Sequence, residues 1–372
     1  MKLLIAGDFS LQGRVAKCKD FDVLRSLMVG VVNHYKSADY SVVNYESPAT
    51  SSSQPILKDG PNLRNPDFTP SLLKQIGFNV FTLANNHLKD YGSHGVLDTI
   101  ENCVGQDIQF VGAGKNIEEA VKPLILTKGN QKVAILNACE NESSIATTER
   151  PGAAPLDVIR LYRQISELKK EVEKVICIFH GGVEHYQLPT PEMKKKYRFL
   201  ADAGADLIVN HHQHCYSGYE VYNGVPIFYG IGNFYFDNAK RRDSAWNYGF
   251  MLNLDIEENI SIEIVPFEQC NKDPKIVLLK KDAFDEKLAE LNTIIADDDK
   301  LEKAFDSYIN KYKKPLSPFL PYGNHFLKAL YHRGLLPSFL GKKRQVMIQN
   351  AVRCESHREV LLMYFENKIH NE

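Results

Sequence analysis

The chain has no long hydrophobic run. Its apolar stretches are strand-sized, far short of the roughly 20 residues that cross a bilayer, so no transmembrane segment is expected. The N-terminus carries no apolar stretch of signal-peptide length and no small-residue cleavage site, which reads as a cytoplasmic location. Charge of neither sign is in excess: 45 Lys and Arg stand against 46 Asp and Glu. A net charge of -1 gives no electrostatic attraction to nucleic acid or an anionic membrane. Cysteine is sparse, with seven scattered residues and no Cys-x-x-Cys, which excludes a disulfide framework and a thiolate zinc site. Internal repeats and low-complexity tracts are absent. What remains is 372 residues, 44% hydrophobic and 24% charged, enough to bury one large core or two.

Five apolar runs end directly in a potential metal ligand. Residues 2–6 lead into Gly7-Asp8, and residues 40–43 into Asn44-Tyr45-Glu46. Residues 80–84 lead into Asn85-Asn86-His87, residues 175–179 into His180-Gly181-Gly182, and residues 206–209 into Asn210-His211-His212-Gln213-His214. Layered α/β proteins bind ligands in the crevice beyond the carboxyl ends of their strands. Five such ends therefore predict one convergent site. Carboxylates, an amide oxygen and neutral imidazoles form an O/N donor set suited to Mn, Fe or Zn. Two residues apart on an extended strand, His212 and His214 are expected to point the same way.

Taken singly, each ligand has a plainer explanation. Asp8 would cap a turn, Asn85 and Asn86 suit left-handed loop positions, and His180 would be a hydrogen-bonded core histidine. Joint placement at strand ends outweighs these readings. His211, without an alternation partner, is expected to turn away from the site. Glu184 and His185 read as a loop pair, of which Glu184 faces the site.

Strand-like and helix-like segments alternate up to about residue 270, with helical spacing over 21–35, 66–77, 97–104, 159–172 and 193–203. Residues 124–138 and 219–265 hold consecutive strands without helices, which predicts mixed sheets. Residues 49–62 and 141–155 read as surface loops of the length that often contacts substrate. Residues 283–314, 325–333 and 343–366 are helix-periodic. The chain thus divides into a domain over 1–275 and a helical C-terminal extension over 276–372.

In their order, Gly7-Asp8, Asn44-Tyr45-Glu46, Ala84-Asn85-Asn86-His87, His180-Gly181-Gly182-Val183-Glu184 and His212-Gln213-His214 resemble the CapA/PgsA family. This is the bacterial capsule and poly-γ-glutamate synthesis family within the calcineurin-like metallophosphoesterase superfamily. Lys89-Asp90-Tyr91-Gly92, Ala203-Gly204-Ala205-Asp206 and Gly230-Ile231-Gly232-Asn233-Phe234 add to the likeness, which spans about residues 1–240. The resemblance implies an α/β four-layer sandwich, two mixed β-sheets flanked by helices. It implies one or two divalent ions held by Asp8, Glu46, Asn86, His180, His212 and His214. It makes His87 the acid beside the metal, with Asn85 and Glu184 completing the catalytic group.

Two positions depart from ordinary metallophosphoesterases. Phe9 and Ser10 follow Asp8 where an Asp-x-His would place a histidine, and Glu46 replaces an aspartate, so one tight ion is expected rather than two. The implied activity is metal-dependent hydrolysis or transfer at a phosphoester or amide in capsule, exopolysaccharide or poly-γ-glutamate synthesis. The substrate would be a polymer or a peptide, with other capsule-synthesis proteins as partners. The alternatives are a metal-dependent peptide epimerase and a non-catalytic subunit of a polymer synthase.

Overall fold

A computed structural model describes residues 1–31, 34, 37–311, 330, 335 and 341–370. The first sheet has eight strands. Seven follow the order β16 (Ile276–Leu278), β15 (Ile260–Gln269), β14 (Tyr248–Ile256), β1 (Lys2–Ser10), β2 (Tyr40–Tyr45), β3 (Val80–Thr82) and β4 (Gln109–Val111); β13 (Asn233–Phe236) joins β1. The second sheet has six: β11 (Tyr219–Tyr222), β12 (Val225–Phe228), β10 (Leu207–His211), β9 (Lys174–His180), β7 (Gln131–Cys139) and β6 (Leu124–Lys128). A short ribbon pairs β5 (Ala113–Gly114) with β8 (Gly152–Ala153). Both sheets are mixed. β1 to β4 run parallel while β14 to β16 run antiparallel, and β7, β9, β10 and β12 run parallel between antiparallel edges.

Strand alternation builds the layers. In β1, Leu3 and Ile5 face a core shared with Ile176, Ile178, Leu207 and Val209 of the second sheet. Leu4 and Ala6 face the opposite way, onto α1 (Phe21–Met28), α2 (Thr69–Ile76) and α3 (Gly92–Gly105). On the far side, Val175, Cys177 and Ile208 pack against α4 (Val158–Leu168) and α5 (Pro191–Asp202). Helices, sheet, sheet and helices are therefore stacked in four layers. Asp157 caps α4 through the amides of Ile159 and Arg160, and Thr190 with Pro191 starts α5.

Several helices are shorter or more broken than their periodicity suggests. The segment expected over 21–35 leaves α-helical geometry after Met28 for a 3₁₀ turn at Val29–Val31. The charged stretch beyond 280 splits into α6 (Lys281–Ile295) and α7 (Asp298–Lys311), because the Asp297 carboxylate accepts from the Lys300 amide and starts a new helix. Another break separates α8 (Lys342–Arg353) from α9 (Glu355–His370), where Cys354 is extended. The expected helix over 325–333 lies outside the described residues. No helix among the described residues is long and apolar enough to cross a membrane.

α9 lies against the strand-end loops of the second sheet. Val360 packs with Val183, Phe305 and Ile309. At its start, Ser356 Oγ donates to Glu140 Oε1 at 2.6 Å, and Glu355 accepts from the Asn141 amide at 2.9 Å. Farther along, Glu359 accepts from the Glu192 amide at 3.0 Å. Glu140 in turn donates its own amide to the His180 carbonyl at 3.1 Å.

Candidate metal centre

Asp8 sits inside β1 rather than at its end. Its pairing register shifts against β2 between Ala6 and Asp8, and against β13 between Asp8 and Phe9. The preceding residue has to be glycine: a Cβ on Gly7 would stand 1.9 Å from the Gly232 carbonyl oxygen. This kink directs the Asp8 carboxylate into the crevice. There Asn44 Nδ2 donates to Oδ1 at 2.7 Å and the His212 amide to Oδ2 at 3.3 Å.

Glu46 follows β2 immediately. It is wholly buried, yet neither carboxylate oxygen has a hydrogen-bond partner. His214 Nε2 approaches Glu46 Oε1 at 3.6 Å, and His214 Nδ1 lies 3.6 Å from Asp8 Oδ2. Asp8, Glu46 and His214 thus offer ligand atoms within 4.8 Å of one another. Beside this trio, His180 Nε2 lies 3.1 Å from both Asn86 Oδ1 and His212 Nδ1. His214 is fixed by Asn233 at 2.9 Å and by the single tryptophan, Trp246, whose ring centroid is 4.6 Å from its own.

His212 and His214 converge, but not by strand alternation. β10 ends at His211, and both residues lie in the loop with left-handed backbones, φ 93° and 55°. That geometry costs on the order of 1–3 kcal/mol per residue. Tethers at both rings and at the His212 amide hold it in place.

His87 stands at the edge of the trio, with Nε2 3.8 Å from Glu46 Oε1. Its Nδ1 meets Asp90 Oδ2 at 2.6 Å. Lys58, from the 49–62 loop, reaches Asp90 Oδ1 at 2.5 Å and His87 Nδ1 at 3.1 Å. Asp90 also accepts from the Leu63 amide at 2.6 Å, so one carboxylate ties the loop to the histidine. Beside that loop opens a cavity of about 520 Å³ whose lining includes Gln12, Thr50, Ser51, Asn62, Arg64 and Tyr91.

Burial dominates the electrostatics. It pushes the Asp8 carboxyl up to about 7 against the pull of Asn44 and the His212 amide. It raises Glu46 well above the usual range, helped by the Asp8 charge. It lowers His212 and His214 to about 3 and His180 well below its ordinary value. Neutral imidazoles beside two carboxylates that resist ionisation are what a cation would complement. The unpartnered oxygens of Glu46 fit the same donor set. The residues present suit a divalent ion.

Residues 2–238 match the family model described as "Bacterial capsule synthesis protein PGA_cap". The chain belongs to this family. It is 32% identical over 289 residues to the PGA biosynthesis protein CapA of Bacillus subtilis (strain 168), covering 76% of this chain and 74% of that protein. It is 31% identical over 263 residues to the capsule biosynthesis protein CapA of Bacillus anthracis, covering 66% and 61% respectively. Among solved structures it is similar to the calcineurin-like phosphoesterase YfkN from Bacillus subtilis, with 14% identity and a TM-score of 0.43 over 82% of this chain and 98% of that one.

Of the residues expected at the centre of this PGA_cap chain, Asp8, Glu46, Asn86, His87, His180, His212 and His214 come together. Asn85 lies beneath the site. Its amide is spent on the backbone, donating to the Tyr45 and Leu83 carbonyls and accepting from the His87 and Ser47 amides. It shapes the turn and has no atom left for substrate. Glu184 stands at the mouth with its side chain 46% exposed, near enough for its charge to act on Glu46 and His212. Asn44, Lys58, Asp90, Trp246 and His211 were not foreseen as site residues. The Asn-His-x-x-Asp spacing of residues 86–90 was the available signal for Asp90.

The buried histidines set a pH dependence for the metal-free protein. His212 and His214, and His211 beside them at about 3, stay neutral in the fold but take protons when unfolded below about 6.5. With folded values depressed, they favour the fold above pH 6.5 and cost stability as pH falls toward 3. Asp8 opposes them: raised to about 7, it favours the fold at low pH and loses that contribution between about 4 and 7. Counting His180 and Glu46, four histidines face two carboxylates. Melting temperatures in chelator should therefore fall as pH drops from 6.5 to 4. A flat or rising profile would contradict this balance.

Proposed function

We propose that this chain is a metal-dependent hydrolase or transferase acting on a phosphoester or amide bond in the making of a capsule, an exopolysaccharide or poly-γ-glutamate. The observation that carries the reading is Glu46, a fully buried carboxylate with both oxygens unpaired at the meeting point of Asp8, His214 and His87. Asp8, Glu46 and His214 would hold one ion, with Asn86, His180 and His212 as the adjacent donor group. A divalent ion there supplies Lewis acidity and lowers the pKa of water.

The chain's own residues do the rest. Asp90 holds His87 through Nδ1, which leaves Nε2 facing the reacting region, where it can pass a proton to a departing oxygen or nitrogen. The cavity beside the 49–62 loop, the loop that Lys58 and Leu63 tie to Asp90 and His87, gives an extended substrate room. Its Arg64, Asn62 and Thr50 supply polar contacts.

Metal analysis of the purified chain, paired with hydrolysis of a chromogenic phosphodiester in added Mn²⁺, tests the proposal. Bound metal together with metal-dependent hydrolysis is expected. Bound metal with no hydrolysis, but deuterium uptake at a peptide α-carbon in heavy water, would move the reading to epimerisation. No metal bound and no turnover would overturn it.

A further inference from the structure

His211 lies in the same crevice, although no role was assigned to it. β10 explains its direction. Leu207 and Val209 face the core between the sheets, so His211, two residues on, points to that side as well, toward β1. Asn210, one residue out of phase, points away and bonds Tyr197 and the Gly181 carbonyl. His211 is 1% exposed, and its Nδ1 lies 3.6 Å from Asp8 Oδ1. Neither ring nitrogen has a hydrogen-bond partner. Among the described residues, only Glu46 and His211 combine full burial with two unpaired side-chain polar atoms. An unpaired buried polar atom forfeits the hydration it has in the unfolded chain, so the fold carries a penalty here that an internal partner does not relieve.

The sequence around Asp8 makes this imidazole more telling. The position where an Asp-x-His pattern would place a histidine is Ser10, whose hydroxyl is turned to Ser47 Oγ at 3.1 Å and Asn65 Oδ1 at 3.4 Å. Asp8 thus lacks an imidazole from its own strand but has two from the facing sheet, His211 Nδ1 at 3.6 Å and His180 Nδ1 at 3.9 Å from Oδ1. Of these, His180 has hydrogen-bond neighbours at both ring nitrogens while His211 has none. We propose that His211 is a metal-binding residue of this centre, delivering to the Asp8 side the imidazole that the residue after Phe9 does not supply. The inference rests on the reading that the centre holds a divalent ion.

Titration of the full chain with Mn²⁺ by calorimetry, and melts with and without Mn²⁺, test it in wild type, His211→Leu, His211→Asn and His214→Ala. Leucine removes both unpaired nitrogens, so the metal-free His211→Leu protein should melt at or above the wild-type temperature. Its Mn²⁺ affinity should fall at least about 10–100-fold, or one ion should be lost, and its metal-induced rise in melting temperature should shrink. Asparagine, which offers a ligand oxygen, should recover part of the affinity. Unchanged affinity and stoichiometry in His211→Leu, with binding lost in His214→Ala, would overturn the role of His211 and leave the metal centre standing. Absence of Mn²⁺ binding in wild type would overturn both.

Discussion

Glu46→Gln should lower divalent-metal affinity by more than about 100-fold while leaving the metal-free fold as stable as wild type or more so. The two side chains are nearly the same shape, so the packing around this position is kept. Metal binding needs the carboxylate charge, and an amide can present only one neutral oxygen. The roughly 10–100-fold lost when an outer-sphere partner is removed is a floor for losing a ligand that itself faces the ion. The stability forecast has a separate origin. In the metal-free chain, burial and the Asp8 charge already penalise ionised Glu46, and glutamine removes that penalty. Calorimetric titration with Mn²⁺ and a melt in chelator read the two effects independently. Retained affinity would mean that the orphaned oxygens do not face an ion.

His87→Ala should show the reverse pattern: metal affinity within a few-fold of wild type, but turnover reduced by about 10²–10⁴-fold. His87 meets the trio only through Nε2, 3.8 Å from Glu46, and its other nitrogen is committed to Asp90. The size of the loss should follow the leaving group. A nitrophenolate departs without help, so the defect should be small on nitrophenyl esters and largest on alkyl esters, whose oxygen must be protonated. Asp90→Asn should lie between, because His87 stays present but loses its orienting carboxylate. Equal defects on both ester types would remove proton transfer from the role of His87.

The site was legible in the sequence wherever a ligand terminates an apolar run. β2, β9 and β10 each fill the space between the layers with Val, Ile or Leu, then stop at a polar residue because the crevice starts there. That signal found Glu46, His180 and the His212–His214 pair. It failed for residues whose place depends on the opposite sheet or a distant loop. Lys58 lies in a stretch without periodicity, and its meeting with Asp90 is set by how the 49–62 loop wraps. Alternation counted back from His212 turns His211 away from the site, but the strand runs through Val209 and stops at His211, which sets its ring beside Asp8. Burial of Asn44, between Val43 and Tyr45, reads as one more strand position until Asp8 is seen across from it. The C-terminal helices were visible in outline, but their breaks depend on one capping carboxylate at Asp297 and one extended residue at Cys354.

The contacts of α9 bear on the order in which this protein is made. Glu140, buried and bonded through its amide to His180, finds side-chain donors in Ser356 and Cys354, more than 200 residues later in the chain. During synthesis the four layers can close and the ligand strands can pair well before these residues emerge. Until they do, the Glu140 carboxylate lacks its protein donors. The corner beside His180 is therefore completed only after a segment more than 200 residues later in the chain has been made.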